Sequence, residues 1–173
     1  YLKEINDLIS EGLIYGLGIS YMPNLEKDSL KYLFESCKNV VFHFINNVHT
    51  YKDIYDLHDF LKDNPNILIL GYKDFGRGST YKNKKEGLEN SLENIFKICK
   101  NVLFDNLAID QVNLKPKISE DVWNYRYMGG EFETSMFFDG VKEEFAPTST
   151  SEKRYKYPSL KRFWFDRDKI KND

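Results

Sequence analysis

Apolar residues along the chain repeat in two rhythms, one helical and one of period two. From residue 2 to 11, Leu2, Ile5, Leu8 and Ile9 share one helical face, and Gly12 follows as a natural terminator. Leu13 to Ser20, LIYGLGIS, alternates instead, with Leu13, Tyr15, Leu17 and Ile19 on one side and Gly16, Gly18 and Ser20 on the other. That is the period of a strand. Lys27 to Cys37 returns to helical spacing through Leu30, Leu33 and Phe34. Asn39 to Asn46 alternates again, placing Val40, Phe42, Phe44 and Asn46 opposite Val41, His43 and Ile45. Thr50, with Asp53 three residues on, approximates a capping box for a helix over Tyr51 to Leu61.

Asn64-Pro65 breaks the chain before Ile67-Leu68-Ile69-Leu70, a run too short for a helix and bounded by turn residues. It predicts a buried strand ending at Tyr72. A helix is expected over Asn83 to Lys100, burying Leu88, Leu92, Ile95, Phe96 and Cys99. A fourth strand, Asn101 to Asp105, leads into a short helix from Leu107 to Val112 that Asn106 is placed to cap. A further helix starts at Ser119, with Glu120 and Asp121 in the first turn where anions are favoured.

Strands that alternate with helices in this way predict an α/β fold with a parallel sheet of about four strands. The last third has another character. Phe132 to Asp139 alternates, Asp139-Gly140 marks a turn, and Val141 to Ala146 pairs back as a hairpin. The hydroxyl-rich loop Pro147 to Ser151 follows, and then a charged tail carrying Tyr155, Tyr157, Leu160, Phe163, Trp164 and Phe165. Its interleaved cations and rings suit contact with nucleic acid or a partner, but packing of the rings on the domain is the favoured reading. The expected division is a domain over 1–151 and a tail over 152–173.

Composition narrows the classes. A length of 173 residues suffices for a sizeable core, and 41% hydrophobic with 30% charged residues is an ordinary globular balance. A net charge of −2 provides no global field to recruit nucleic acid or an acidic membrane. No apolar run reaches the length of a membrane span, and cytoplasmic residence is expected. Two distant cysteines, Cys37 and Cys99, form neither a disulfide framework nor a metal motif. A chain that opens on Tyr1 rather than Met reads as a processed or trimmed piece.

Candidate chemistry gathers at strand ends. The loop Gly71 to Gly78, GYKDFGRG, combines glycines, rings and both signs of charge after the third strand. Such loops are where α/β proteins carry working groups, and also where they need ordinary turns. Lys73 and Arg77, with Lys82, Lys84 and Lys85, suit a phosphate or carboxylate ligand at a helix start; a solvated charge run is the plainer reading. His49, on a loop at the carboxyl end of a strand, is a better site candidate than His43 within a strand or His58 on a helix. The glycine face of the first strand implies close approach of a ligand or backbone, or equally a tightly packed barrel interior.

The segments GLGIS (Gly16 to Ser20), LILGYKDFGRG (Leu68 to Gly78), FDNLAIDQVN (Phe104 to Asn113) and YMGGEFETSMFFDGVKEEFAPTSTS (Tyr127 to Ser151) together resemble the C-terminal part of bacteriophage-encoded radical-SAM-like proteins. The resemblance implies a partial (β/α) barrel. It also implies that Gly16, Gly18 and Ser20 face S-adenosylmethionine, and that His43, Lys73, Arg77, Asp105 and Asn106 surround a substrate. The chain departs from that family in lacking a CxxxCxxC motif, and three thiolates are needed to hold a [4Fe–4S] cluster with one open iron. Cofactors are therefore expected only with a further N-terminal half, and radical chemistry is not expected of this chain as it stands.

The leading expectation is a cluster-less interaction protein, such as a counter-defence inhibitor of a host protein or nucleoprotein. One alternative is the substrate-binding half of a radical SAM enzyme. Another is a nucleotide- or phosphate-binding module using His49, Lys73 and Asp105. A half-barrel leaves sheet edges to be covered, so a homo-oligomer or heteromeric complex is expected.

Overall fold

The computed structural model describes residues 2–74, 76–81, 85–130 and 132–171, with the backbone alone at 76 and 77. The chain forms two compact units, Tyr1–Ser119 and Glu120–Asp173. Architecture is mixed α/β, with a four-stranded parallel sheet in the first unit and a separate two-stranded antiparallel sheet in the second. No closed barrel forms among the described residues. No described helix is long and apolar enough to cross a membrane.

In the first unit the order is α1 (Leu2–Ser10), β1 (Leu17–Ser20), α2 (Lys27–Ser36), β2 (Val40–Ile45), α3 (Tyr51–Leu61), β3 (Asn66–Leu70), α4 (Leu92–Ile98), β4 (Asn101–Phe104) and α5 (Asn106–Gln111). The strands lie side by side in sequence order and are all parallel. In β1 and β2 alternate residues fall on opposite faces, as the sequence predicts, but β3 is not buried throughout, since Leu68 and Leu70 are only half-buried. Val40, Phe42 and Phe44 of β2 and Ile67 and Ile69 of β3 are buried. They form one core with Leu30 of α2, Ile54 and Leu57 of α3, and Leu92 and Ile95 of α4.

Three boundaries differ from expectation for identifiable reasons. The first strand does not begin at Leu13. There the amides of Leu13 and Ile14 donate to the Leu8 carbonyl, and Gly12 takes a left-handed φ of 73°, so the segment closes α1. The expected helix over Asn83 to Lys100 is also shorter: a 3₁₀ turn covers Leu88–Ser91 and α4 begins only at Leu92. The Lys85 amide donates to the Asn47 carbonyl and the Leu88 amide to the Asn46 side chain. The end of β2 thus claims backbone donors that the sequence assigns to a helix start. Lys82 and Lys84 of the basic cluster lie outside the described residues. Finally, Asp105 rather than Asn106 caps α5.

The second unit contains α6 (Glu120–Arg126), β5 (Phe137–Asp139), β6 (Glu144–Ala146), α7 (Leu160–Phe165) and α8 (Arg167–Lys171). β5 and β6 form the expected hairpin, shorter than predicted. Phe145 of β6 also bridges to Tyr155, which ties the tail to the hairpin. Phe163 of α7 is fully buried among Phe132, Phe145, Tyr155 and Tyr157. Of the tail's rings, Phe163 with Tyr155, Tyr157 and Trp164 supply a core, the favoured reading of the sequence, whereas Phe165 is exposed.

Candidate functional site

Parallel sheets are normally covered on both faces. Here one face meets α2, α3 and α4 through the core, whereas the other carries half-buried and exposed residues. The register aligns one row across that second face. Ser20 pairs with His43, His43 with Leu68, and Leu68 with Leu103. Leu103 remains 50% exposed, and Gly18 and Ser20 are exposed as well.

Gly18 has a specific reason to be glycine. A Cβ there would lie 2.8 Å from Cε1 and 2.9 Å from Nε2 of His43. The His43 ring thus lies over the β1 backbone, where any side chain would displace it. Of the two readings of the glycine face, the neighbour in close approach is a ring from the next strand. Gly16 lies outside β1, beside the Asn39 carbonyl at the amino end of the sheet. Among the described residues, neither the Ser20 hydroxyl nor the His43 imidazole is committed to a hydrogen bond.

At the carboxyl ends of the strands the polar groups are heavily committed. The Asp105 carboxylate accepts from the amides of Gly71 (2.9 Å) and Ala108 (2.7 Å), so one side chain caps α5 and pins the loop after β3. Gly71 is fitted to that junction, because a Cβ there would clash with the side chain of Leu107. Asn106 forms the first residue of α5. Tyr72 is held on both sides by Gln111, which accepts from its amide and donates to its carbonyl, each at 2.8 Å. Lys73 lies in a tight return of the loop, where a Cβ on Gly78 would meet the Lys73 carbonyl. The side chain of Arg77 lies outside the described residues.

His49 is buried directly after β2. Its Nδ1 accepts the Ile45 amide at 2.7 Å, and its ring meets Tyr21 and Phe44 edge-on. Burial pushes the His49 pKa down, against the pull of the Asp53 carboxylate. The tautomer with hydrogen on Nε2 follows from Nδ1 acting as acceptor. Asp53 is itself partly buried, which raises its pKa, but the Thr50 amide and hydroxyl and the Lys85 ammonium outweigh this and hold it low. Burial and the carboxylates of Asp53 and Asp56 raise the Tyr21 phenol.

Two residues of the strand-end network are not evident from the sequence, Asn46 and Gln111. Asn46 is buried, accepts the Leu88 amide at 2.9 Å and donates to Asn47 and Gln111. The available signal is its position: it extends the buried face of Phe42 and Phe44 with a polar group, which burial requires to be paired.

The cysteines do not fit an iron–sulfur cluster. Cys37 and Cys99 end α2 and α4, so they precede β2 and β4 at the amino end of the sheet, away from the strand-end loops. Both are buried, and burial pushes the Cys99 thiol up to about 12. A cluster needs thiolates. Among the described residues no group of three or more His, Cys, Asp or Glu is placed to hold a metal ion.

Comparison of the chain with protein-family models, with curated proteins and with solved structures gives no match.

Proposed function

We propose that this chain is an interaction protein built on a partial (β/α) barrel: a cluster-less, radical-SAM-like protein of phage type that binds a host protein as a counter-defence inhibitor. The observation that carries the reading is the row Ser20–His43–Leu68–Leu103 on the sheet face away from the helices. Leu103 offers an exposed apolar contact at its β4 end, and Ser20 and His43 at and next to its β1 end offer polar groups not spent on the fold. Exposed apolar area with a few polar groups suits recognition of a protein surface. By contrast, Asp105, Gln111, Asn46 and His49 hold loops and strand ends together, and this work leaves them poorly placed for chemistry. The reading places the protein in the cytoplasm, in a heteromeric complex.

Site-specific photocrosslinking in a bacterial host tests it. Benzoylphenylalanine in place of Leu103 is expected to trap one discrete host protein, and Leu68→Glu in the same chain is expected to abolish the product. The same probe at Tyr55, exposed on α3, is expected to trap none. Equal products from both positions would overturn the reading. So would a product formed only with a second copy and matched by a dimer in light scattering. Calorimetric binding of S-adenosylmethionine, lost on Gly18→Val, would favour the substrate-half alternative instead.

A further inference from the structure

The second unit carries a surface whose chemistry differs from that of the sheet face. Residues 160–171, which include α7 and α8, hold five Lys or Arg against two Asp, a net of +3 in a chain whose total is −2. Within this segment α7 and α8 fix cations beside aromatic rings. The Arg162 guanidinium lies 5.7 Å from the Phe165 ring centre, and Arg167 lies 4.7 Å from that of Trp164.

Asp166 organises this arrangement. It is 7% exposed and sits between α7 and α8. It pairs with Arg162 at 2.8 Å and with Lys169 at 3.4 Å. One carboxylate thus positions two cations and leaves a net positive charge at the surface. Phe163 anchors the helix beneath, fully buried and stacked on Phe145 at 5.0 Å. Phe165, two residues on, projects with 76% exposure. Its contact with the Arg162 guanidinium leaves most of the ring open to solvent. A flat ring held on a short anchored helix, flanked by fixed cations, matches what an unpaired nucleobase and its adjoining phosphates require: a stacking platform and positive charge at neighbouring positions.

We propose that α7 and α8 form a binding surface for single-stranded nucleic acid, with Phe165 stacking on a base and Arg162, Lys161 and Lys169 contacting the backbone phosphates. Duplexes keep their bases stacked on one another, so the exposed ring discriminates for single strands. The proposal is independent of the sheet face and its protein partner.

Fluorescence anisotropy with the full chain provides the test, using labelled oligomers of twenty deoxythymidines or twenty uridines and a duplex of equal length. Binding of the single strands is expected to exceed that of the duplex and to weaken between 50 and 200 mM salt, as counterion release requires. Phe165→Ala is expected to reduce single-strand affinity by roughly tenfold, the scale of one lost stacking contact, and Phe165→Trp to restore it. Since Phe165 is exposed, the variant's circular dichroism should match that of the parent. The double variant Lys161→Glu, Lys169→Glu is expected to flatten the salt dependence. The two oligomers distinguish DNA from RNA as the source of the strand. No binding of either, or binding of duplex and single strand alike with no effect of Phe165→Ala, would overturn the proposal. Binding only to vesicles of anionic phospholipid would overturn it too, and would identify a membrane surface instead.

Discussion

The two units bury apolar surface with different materials. In the first, five- and six-residue central strands hydrogen-bond to neighbours on both sides, and aliphatic and phenylalanine side chains fill the space beneath the helices. In the second, the paired strands have three residues each, and the core is a group of rings around Phe163. A sheet core spreads its stability over many side chains and a shared backbone ladder. A ring cluster concentrates it in a few large residues, each with extensive contact. The first arrangement should tolerate one truncation as a graded loss, and the second should fail more locally and more completely.

Phe163→Ala gives the largest effect and the most direct way to break this comparison. Removing a fully buried phenylalanine costs about 3–5 kcal/mol. Hydrogen exchange should then show lost amide protection through 132–171 and retained protection in β2 and β3. Simultaneous loss in both units would show that they do not fold as separate bodies. Asp105→Ala is a smaller change within the first unit. It removes the cap of α5 and the acceptor for Gly71 together, at a cost of about 1–2 kcal/mol. A urea midpoint unchanged by this variant would release Asp105 from its structural role and restore it as a candidate for chemistry.

The smallest effect is a pH dependence. The pKa of His49 lies below its ordinary value in the folded protein, chiefly because of burial. Protons therefore bind the unfolded chain first as pH falls. The stability His49 provides is complete above the ordinary histidine value near 6.5 and declines below it. Asp53 has the opposite chemistry but the same direction. Its carboxylate is held low, so its contribution persists above its ordinary value of 3.8 and is lost as pH falls through the folded value. Urea midpoints at pH 7.5, 6.5 and 5.5 should fall in the parent, and His49→Gln should flatten that part of the profile. An equal fall in the variant would show that the effect does not arise from His49.

Period and alternation make the parallel sheet legible, because each strand hides one face: the sequence groups Val40, Phe42 and Phe44 on one side of β2, and the helices packed there decide that this side is the buried one. Local caps were only partly visible. Thr50 and Asp53 are close in sequence and form a recognisable capping box, whereas Asp105 and its neighbour Asn106 have similar capping propensity, so sequence alone does not choose between them. The start of α4 was not legible, since it depends on Asn46, a residue 42 positions from the Leu88 amide it accepts. The candidate site was legible as a set of residue types but not as a set of contacts. Nothing in the sequence indicates that Gln111 grips Tyr72 or that the His43 ring rests on Gly18.

The sequence-ordered sheet has a consequence for how such a protein changes over generations. Each strand is laid beside the one just before it, so no later strand is inserted between two earlier ones. A duplicated strand–helix segment added beyond β1 or β4 would leave every existing pairing intact. Enlargement and shortening are therefore graded operations for this architecture, each a single winding step, and a lineage can gain or shed a module without relearning how to fold.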